Sequence, residues 1–287
     1  MPIAWLFPAL ALLAPGDQAA TQSSPAAPTL EQRLREINRE DAHTWEFFLD
    51  PERTAKAQFI EQPIYRWTNP TKGTGQYGSV FLWIHGGRPA VVGSFFGHPV
   101  KLDRRRMTHE FHLVAPQRLY PLCSDGDGQT WEPKSAIGLA PLPSAPPPEA
   151  TPARRLLQMR NIGRQFGGYT VDWRKQRWEL RLLPQPLYRY EKPPSDLLDG
   201  ALLALVTDAG TDPEVLLLLE ATKDEGWQYA LLRFSDSSLY VTHQGKEIWT
   251  AIRGPEEAQL HNADHTYRVF QKRFLDELAS EPGALPP

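Results

Sequence analysis

The segment QPIYRW at residues 62–67 returns as QPLYRY at residues 185–190, and Pro70 returns as Pro193 at the same offset. Six consecutive positions matched in type mark a duplication, which changes what fold the rest of the chain can have. The correspondence extends outward from there. Gly78, opening SVFLWI, answers Gly200, opening ALLALV, and the PAVV run after Arg88 answers PEVL at 213–216. Further on, HEFHLV (109–114) aligns with WQYALL (227–232), Leu119-Tyr120 with Leu239-Tyr240, and Trp131 with Trp249. Upstream, Thr29, Leu34 and Ile37 align with Thr151, Leu156 and Met159.

Each copy reads as a helix followed by strands. Thr29 with Gln32 three residues on is a capping box, and Thr151-Pro152 is an N-cap before a proline at the first helical position. Gly86-Gly87 and Asp208-Ala209-Gly210 lie between paired apolar runs, as hairpin turns do. Val80–Ile84, Ala201–Val206 and Val215–Leu219 are apolar without alternation, which predicts central strands covered on both faces. Beyond Trp249, Tyr267, Phe270, Phe274 and Leu278 recur at three- and four-residue spacing and predict a closing amphipathic helix. The expectation is an α+β fold: two tandem copies of a helix plus an antiparallel β-meander, pseudo-twofold, with an extra C-terminal helix. The copies span residues 29–138 and 151–254, joined by a proline-rich connector at 139–150. The helix occupies 255–279 and a disordered tail 280–287.

The N-terminus carries an apolar run, IAWLFPALALLA at 3–14, too short for the roughly 20 residues of a membrane-spanning helix. It reads as the core of a signal peptide over residues 1–16, followed by a disordered leader at 17–28. Export and a mature chain without a transmembrane segment follow as expectations.

Composition narrows the function classes. The chain of 287 residues has 31 Lys+Arg against 34 Asp+Glu, a net charge of −3, which argues against a nucleic-acid partner. One cysteine excludes a disulfide framework within the chain and a Cys-rich metal site. There are 28 prolines, spread between apolar runs, which fits many short elements. No nucleotide, phosphate-loop or nucleophile-elbow fingerprint occurs; the glycines of Gly73-x-Gly75-x-x-Gly78 precede a strand instead of opening a helix. No cofactor is implied.

The combination PLYRY (186–190), DGALLALV (199–206), DPEVLLLLEA (212–221) and WQYALLRFS (227–235), after a helix of the type ATPARRLLQMRNI (150–162), resembles a large family of exported bacterial proteins. The resemblance covers about residues 30–250. It implies export and supplies no known activity, so no catalytic residue is carried over from it.

Several side chains are candidates for chemistry. Arg66 and Arg189 sit between aromatics in both copies; they could clamp an anion, but retention in both copies favours matched structural ion pairs, with a carboxylate such as Glu220 as partner. Lys101, Arg104, Arg105 and Arg106 lie where the first copy is longer than the second, a loop able to hold an anionic polymer or envelope component. His109-Glu110-Phe111-His112 lacks the four-residue histidine spacing of a zinc helix, since in a strand the two histidines face opposite ways. His261 and His265 have helical spacing but no third ligand. Ser124-Asp125-Gly126-Asp127-Gly128 reads as a turn, because Ala136 stands where a calcium loop needs its glutamate. Cys123 reads as a small buried hydrophobe. The reading reached is an exported, non-enzymatic binding or envelope-structural protein; the alternative is a hydrolase using His109, Glu110 and Arg66 in a cleft of the first copy.

Overall fold

A computed structural model describes residues 28–70, 76–101, 104–126, 131–134, 136–142, 144–254 and 263–276. The expected signal peptide and tail lie outside the described residues, as do nearly all of the leader and parts of the 255–279 segment. Among the described residues there are two helices and seventeen strands, so the fold is mainly β and the α+β expectation is corrected. No helix of the described residues is long and apolar enough to cross a membrane.

The first half begins with α1 (Leu30–His43), capped by the Thr29–Gln32 box read from the sequence. It continues through β1 (Trp45–Phe48), β2 (Gln58–Phe59), β3 (Tyr65–Thr68), β4 (Tyr77–His85), β5 (Arg88–Lys101), β6 (Arg104–Leu113) and β7 (Tyr120–Cys123). The proline-rich segment then contributes β8 (Ala140–Pro141) before α2 (Pro152–Gly163), which Thr151 caps with Pro152 in its first turn. The remainder is β9 (Phe166–Val171), β10 (Arg177–Leu182), β11 (Tyr188–Arg189), β12 (Leu197–Thr207), β13 (Pro213–Thr222), β14 (Trp227–Arg233), β15 (Ser238–His243), β16 (Lys246–Ala251) and β17 (Tyr267–Asp276).

These strands form a six-stranded sheet in the order β17-β6-β5-β4-β2, with β3 also on β4, and a nine-stranded sheet in the order β16-β15-β9-β10-β12-β13-β14-β8, with β11 also on β12. β1 and β7 pair separately. The larger sheet curls: Phe166 on β9 and Tyr229 on β14, four places apart in the strand order, bring their rings to 5.5 Å.

The two matching sequence segments make a similar local construction. Trp67 lies over Gly78 so closely that a Cβ there would fall 1.9 Å from the indole, and Tyr190 lies over Gly200, where a Cβ would meet its ring at 2.4 Å. In each case an aromatic fills the space a glycine leaves on the neighbouring strand. The indole donates to Ser94 Oγ at 3.0 Å and the Tyr190 hydroxyl donates to Glu220 at 2.6 Å, so neither polar tip is stranded in the core.

The continuous apolar runs are explained by burial on both faces. Val80, Leu82 and Val92 of the smaller sheet pack against Leu202, Ala204, Leu216 and Leu218 of the larger one. The odd-numbered neighbours Phe81, Trp83, Val91 and Phe95 face an aromatic core with Trp45, Phe47 and Phe111. On the far side, Leu203, Leu205, Leu217 and Leu219 pack with Met159 and Ile162 of α2. Two sheets stacked face to face, each covered on its outer face, leave no room for alternation on the central strands.

The closing segment is the largest local correction. Tyr267–Asp276 is not a helix but the edge strand of the smaller sheet, pairing Tyr267 with His112 and Phe270 with His109. Tyr267 lies on the side of His112, Glu110, Ala230 and Leu232, and Phe270 faces the aromatic core. Burial of both faces, with a register shift between Gln271 and Phe274, produces a three- and four-residue apolar spacing that imitates a helix. The proline-rich connector likewise does more than span: Ala140 and Pro141 pair with Tyr229 and Gln228 at the edge of the larger sheet.

Candidate functional site

Strand alternation determines what the space between the sheets contains. On β13, Glu214, Leu216, Leu218 and Glu220 share the face turned toward the smaller sheet, so the layer is apolar in its middle and acidic at both ends. At one end Glu220, 2% exposed, accepts both prongs of the Arg88 guanidinium at 3.0 and 3.1 Å and the Tyr190 hydroxyl. That end is closed by its own ion pair. The carboxylate proposed as a partner for Arg66 and Arg189 therefore belongs to Arg88 instead.

The other end opens into a cleft of about 750 Å³. Its walls are Phe96, His98, Thr108 and Glu110 from β5 and β6, Val269 and Gln271 from β17, the 172–178 hairpin of β9 and β10, Asp212 and Glu214 at the start of β13, and residues 234–237 after β14. Two carboxyl groups lie at the floor on opposing sheets: Glu110 is 6% and Glu214 2% exposed. Burial, with Asp236 and Glu214 nearby, pushes the Glu110 carboxyl up to about 8, against the pull of its hydrogen bond from the Tyr267 hydroxyl. Below that value it is neutral and can itself donate. Tyr267 is raised by burial and by Glu110.

Hydrogen bonds brace the frame of the cleft. Arg233 holds the loop after β14 by donating to the carbonyls of Ser235 at 2.7 Å and Ser237 at 2.8 Å, with its guanidinium 5.3 Å from the Tyr267 ring. Asp172 closes the β9–β10 turn by accepting from the amides of Arg174 and Gln176 and from Trp178 Nε1. Trp173, 66% exposed, stands at the tip of that turn with the Arg174 guanidinium 4.6 Å from its ring centroid.

The structure separates most of the residues singled out by sequence. His109 and Glu110 point to opposite faces of β6, as alternation requires. His109 is inside the aromatic core, with Nδ1 accepting from Trp45 Nε1 at 3.0 Å and Nε2 donating to Asp41 at 3.0 Å, while Arg273 holds the other Asp41 oxygen at 2.7 Å. Burial lowers the affinity of this imidazole for a second proton, despite Asp41. Both ring nitrogens are engaged, so His109 fixes α1 and β1 to the sheet. His112 shares the Glu110 face; its Nδ1 donates to the Leu113 carbonyl at 2.6 Å, and burial pushes it down to about 4. Arg66 is exposed on β3. His109, Glu110 and Arg66 thus form no common cleft.

The two matched arginines also part company. Arg189 grips Asp199 at 2.6 and 3.1 Å, and Arg155 of α2 reaches the same carboxylate at 3.1 Å. Arg66 makes no ion pair among the described residues. The supposed cationic loop is mostly strand: β5 and β6 pair as far as Lys101 and Arg104, with residues 102–103 between them. Arg104 pairs with Asp276 at 3.0 Å and lies over Phe274 at 4.5 Å; Arg106 also lies over Phe274, at 4.4 Å, and bonds Gln271. Burial lowers Arg105. Edge-strand contacts thus occupy much of the charge that sequence assigned to an anion.

Among the remaining candidates, Asp125 pairs with Lys272 at 2.8 Å, Gly126 takes a turn conformation at φ 75°, and Asp127 and Gly128 lie outside the described residues. His261 does too, while the His265 carbonyl accepts from Trp131 at 2.8 Å. Cys123 is only partly buried, beside Thr44 and Lys272. No three His, Cys, Asp or Glu side chains gather into a metal-holding group among the described residues. Sequence reading missed Glu214, Asp236, His98 and Trp173. Glu214 had a signal, a carboxylate leading directly into a fully apolar strand; the others are brought to the cleft by sheet stacking alone. Comparison with protein-family models, with curated proteins and with solved structures finds no match to this chain.

Proposed function

We propose that this is an exported, non-enzymatic binding protein whose ligand enters the cleft between the two sheets. The observation that carries the reading is the cleft itself: about 750 Å³, within the roughly 300–1,000 Å³ of small-ligand pockets, with a mixed polar and aromatic lining between two packed sheets. Export rests on the apolar run at 3–14 and on the family resemblance. A binding role is favoured over hydrolysis because His109, Glu110 and Arg66 do not converge on one volume, and a reaction needs its groups within hydrogen-bond reach of the same substrate atom. The test is a thermal-shift screen of polar metabolites, peptides and oligosaccharides against the wild type and against Ser237→Trp, which fills the cleft. Ligands that stabilise the wild type alone are expected. Equal stabilisation of both proteins, or conversion of the bound compound, overturns the reading.

A further inference from the structure

One end of the larger sheet brings exposed apolar and cationic side chains together. β9 ends at Val171, level with Ser238 at the start of β15, and Leu239 is level with Ala251 at the end of β16. The 172–176 turn and residues 252–253 therefore leave the sheet at the same end, where the Arg253 amide donates to Ser238 Oγ at 2.9 Å. Trp173, 66% exposed, is the most exposed large hydrophobic side chain among the described residues, and Ile252 is 53% exposed. Residues 173–177 are exposed without a break, with Lys175 in the left-handed conformation at φ 66°. The tip of this turn is cationic. Asp172 is engaged inside the turn, Glu179 holds Arg177 at 2.8 Å, and Asp236 lies 3.6 Å from Arg253. Arg174 and Lys175 make no ion pair among the described residues, and the Arg174 guanidinium, 4.6 Å from the Trp173 ring centroid, protrudes together with the indole.

From this arrangement we infer that the rim docks on an anionic phospholipid surface, with Trp173 and Ile252 entering the headgroup region and Arg174 and Lys175 meeting lipid phosphates. An indole suits a membrane interface, where its ring leaves water and its N–H keeps a polar partner. Each Lys or Arg close to an anionic leaflet adds an attraction that salt screens. A soluble polyanion would use the two cations and leave both apolar side chains in water, and a chain of net charge −3 gives it little further pull. No helix of the described residues is long and apolar enough to cross a membrane, so the attachment is to the surface. This docking goes beyond the cleft reading and is tested with no ligand in the cleft.

The experiment floats the full protein with vesicles of pure phosphatidylcholine and of an equal mixture with phosphatidylglycerol, at low and high salt. Binding to the mixed vesicles alone is expected, falling as salt rises. Arg174→Glu combined with Lys175→Glu should weaken partitioning about tenfold or more, and Trp173→Ser about fivefold, each at unchanged melting temperature because these side chains stand in solvent. Absence of binding to the mixed vesicles overturns the inference, as does equal binding to pure phosphatidylcholine. Binding that both variants retain in full also overturns it, since the attachment would then belong to another segment such as the apolar run at 3–14. A rim-dependent grip on soluble polyglutamate in place of vesicles would make the partner an acidic polymer and overturn the lipid assignment.

Discussion

Arg189 and Asp199 meet through two hydrogen bonds, of 2.6 and 3.1 Å, on a carboxylate that is almost wholly buried and that Arg155 approaches from α2. The counterpart of Arg189 in the first half, Arg66, stands exposed. The two matching sequence segments thus place an arginine at the same position with different work.

Arg189→Met and Arg66→Met should differ. The first leaves Asp199 with Arg155 and the Gly200 amide as its remaining donors and is expected to cost about 1–3 kcal/mol; the second should stay within about 0.5 kcal/mol. Urea unfolding of the two variants measures this. Equal losses would show that Arg66 carries a structural load after all, as the sequence reading expected.

Glu110 and His112 set opposing pH slopes. Glu110 stands at about 8 against an ordinary 4.5, so between those values the folded protein keeps a proton that the unfolded chain has lost. Its contribution is full below 4.5 and is lost as pH rises to 8. His112 stands at about 4 against 6.5; its contribution is full above 6.5 and is lost as pH falls to 4. The two slopes offset each other between 4.5 and 6.5, leaving a decline from 6.5 to 8. Melting temperatures across this range should show that decline in the wild type and its loss in Glu110→Gln. A variant with an unchanged slope would remove Glu110 as the cause.

Asp41 joins α1 to the aromatic core through His109 and Arg273. Asp41→Ala orphans a buried imidazole N–H and an arginine, for an expected loss of about 2–4 kcal/mol. Hydrogen exchange should locate the loosening in α1 and β1, with the β12–β13 pair unaffected. Uniform loosening of both sheets would contradict that assignment.

The β4–β5 turn separates two neighbouring glycines. Gly86 and Gly87 both have positive φ, 56° and 84°, but only Gly87 lies against the other half of the chain, where a Cβ would fall 1.9 Å from the Lys192 carbonyl oxygen. Gly86→Ala should cost about 1 kcal/mol in backbone strain, and Gly87→Ala about 2 kcal/mol more, since backbone must move. Calorimetric melting of the two variants decides it, and equal melting temperatures would mean that the 192–194 segment yields freely.

Local chemistry was legible in the sequence. The capping box at Thr29, the Thr151-Pro152 start, the Gly86-Gly87 hairpin and the two-sided burial of Val80–Ile84 and Val215–Leu219 each follow from interactions within a few residues or from one face-counting rule. Opposite facing of His109 and His112 followed from the same alternation, while the alternation of His109 against Glu110 was not drawn from it. Tertiary structure decided the rest. Tyr267–Asp276 became a strand because the open edge of β6 offers backbone hydrogen bonds and two apolar faces that no isolated helix could match. Glu220 went to Arg88, and Glu214 was set beside Glu110, by the stacking of one sheet on the other. Spacing along the chain says which face a side chain takes; which foreign side chain meets it there is determined only when the sheets close.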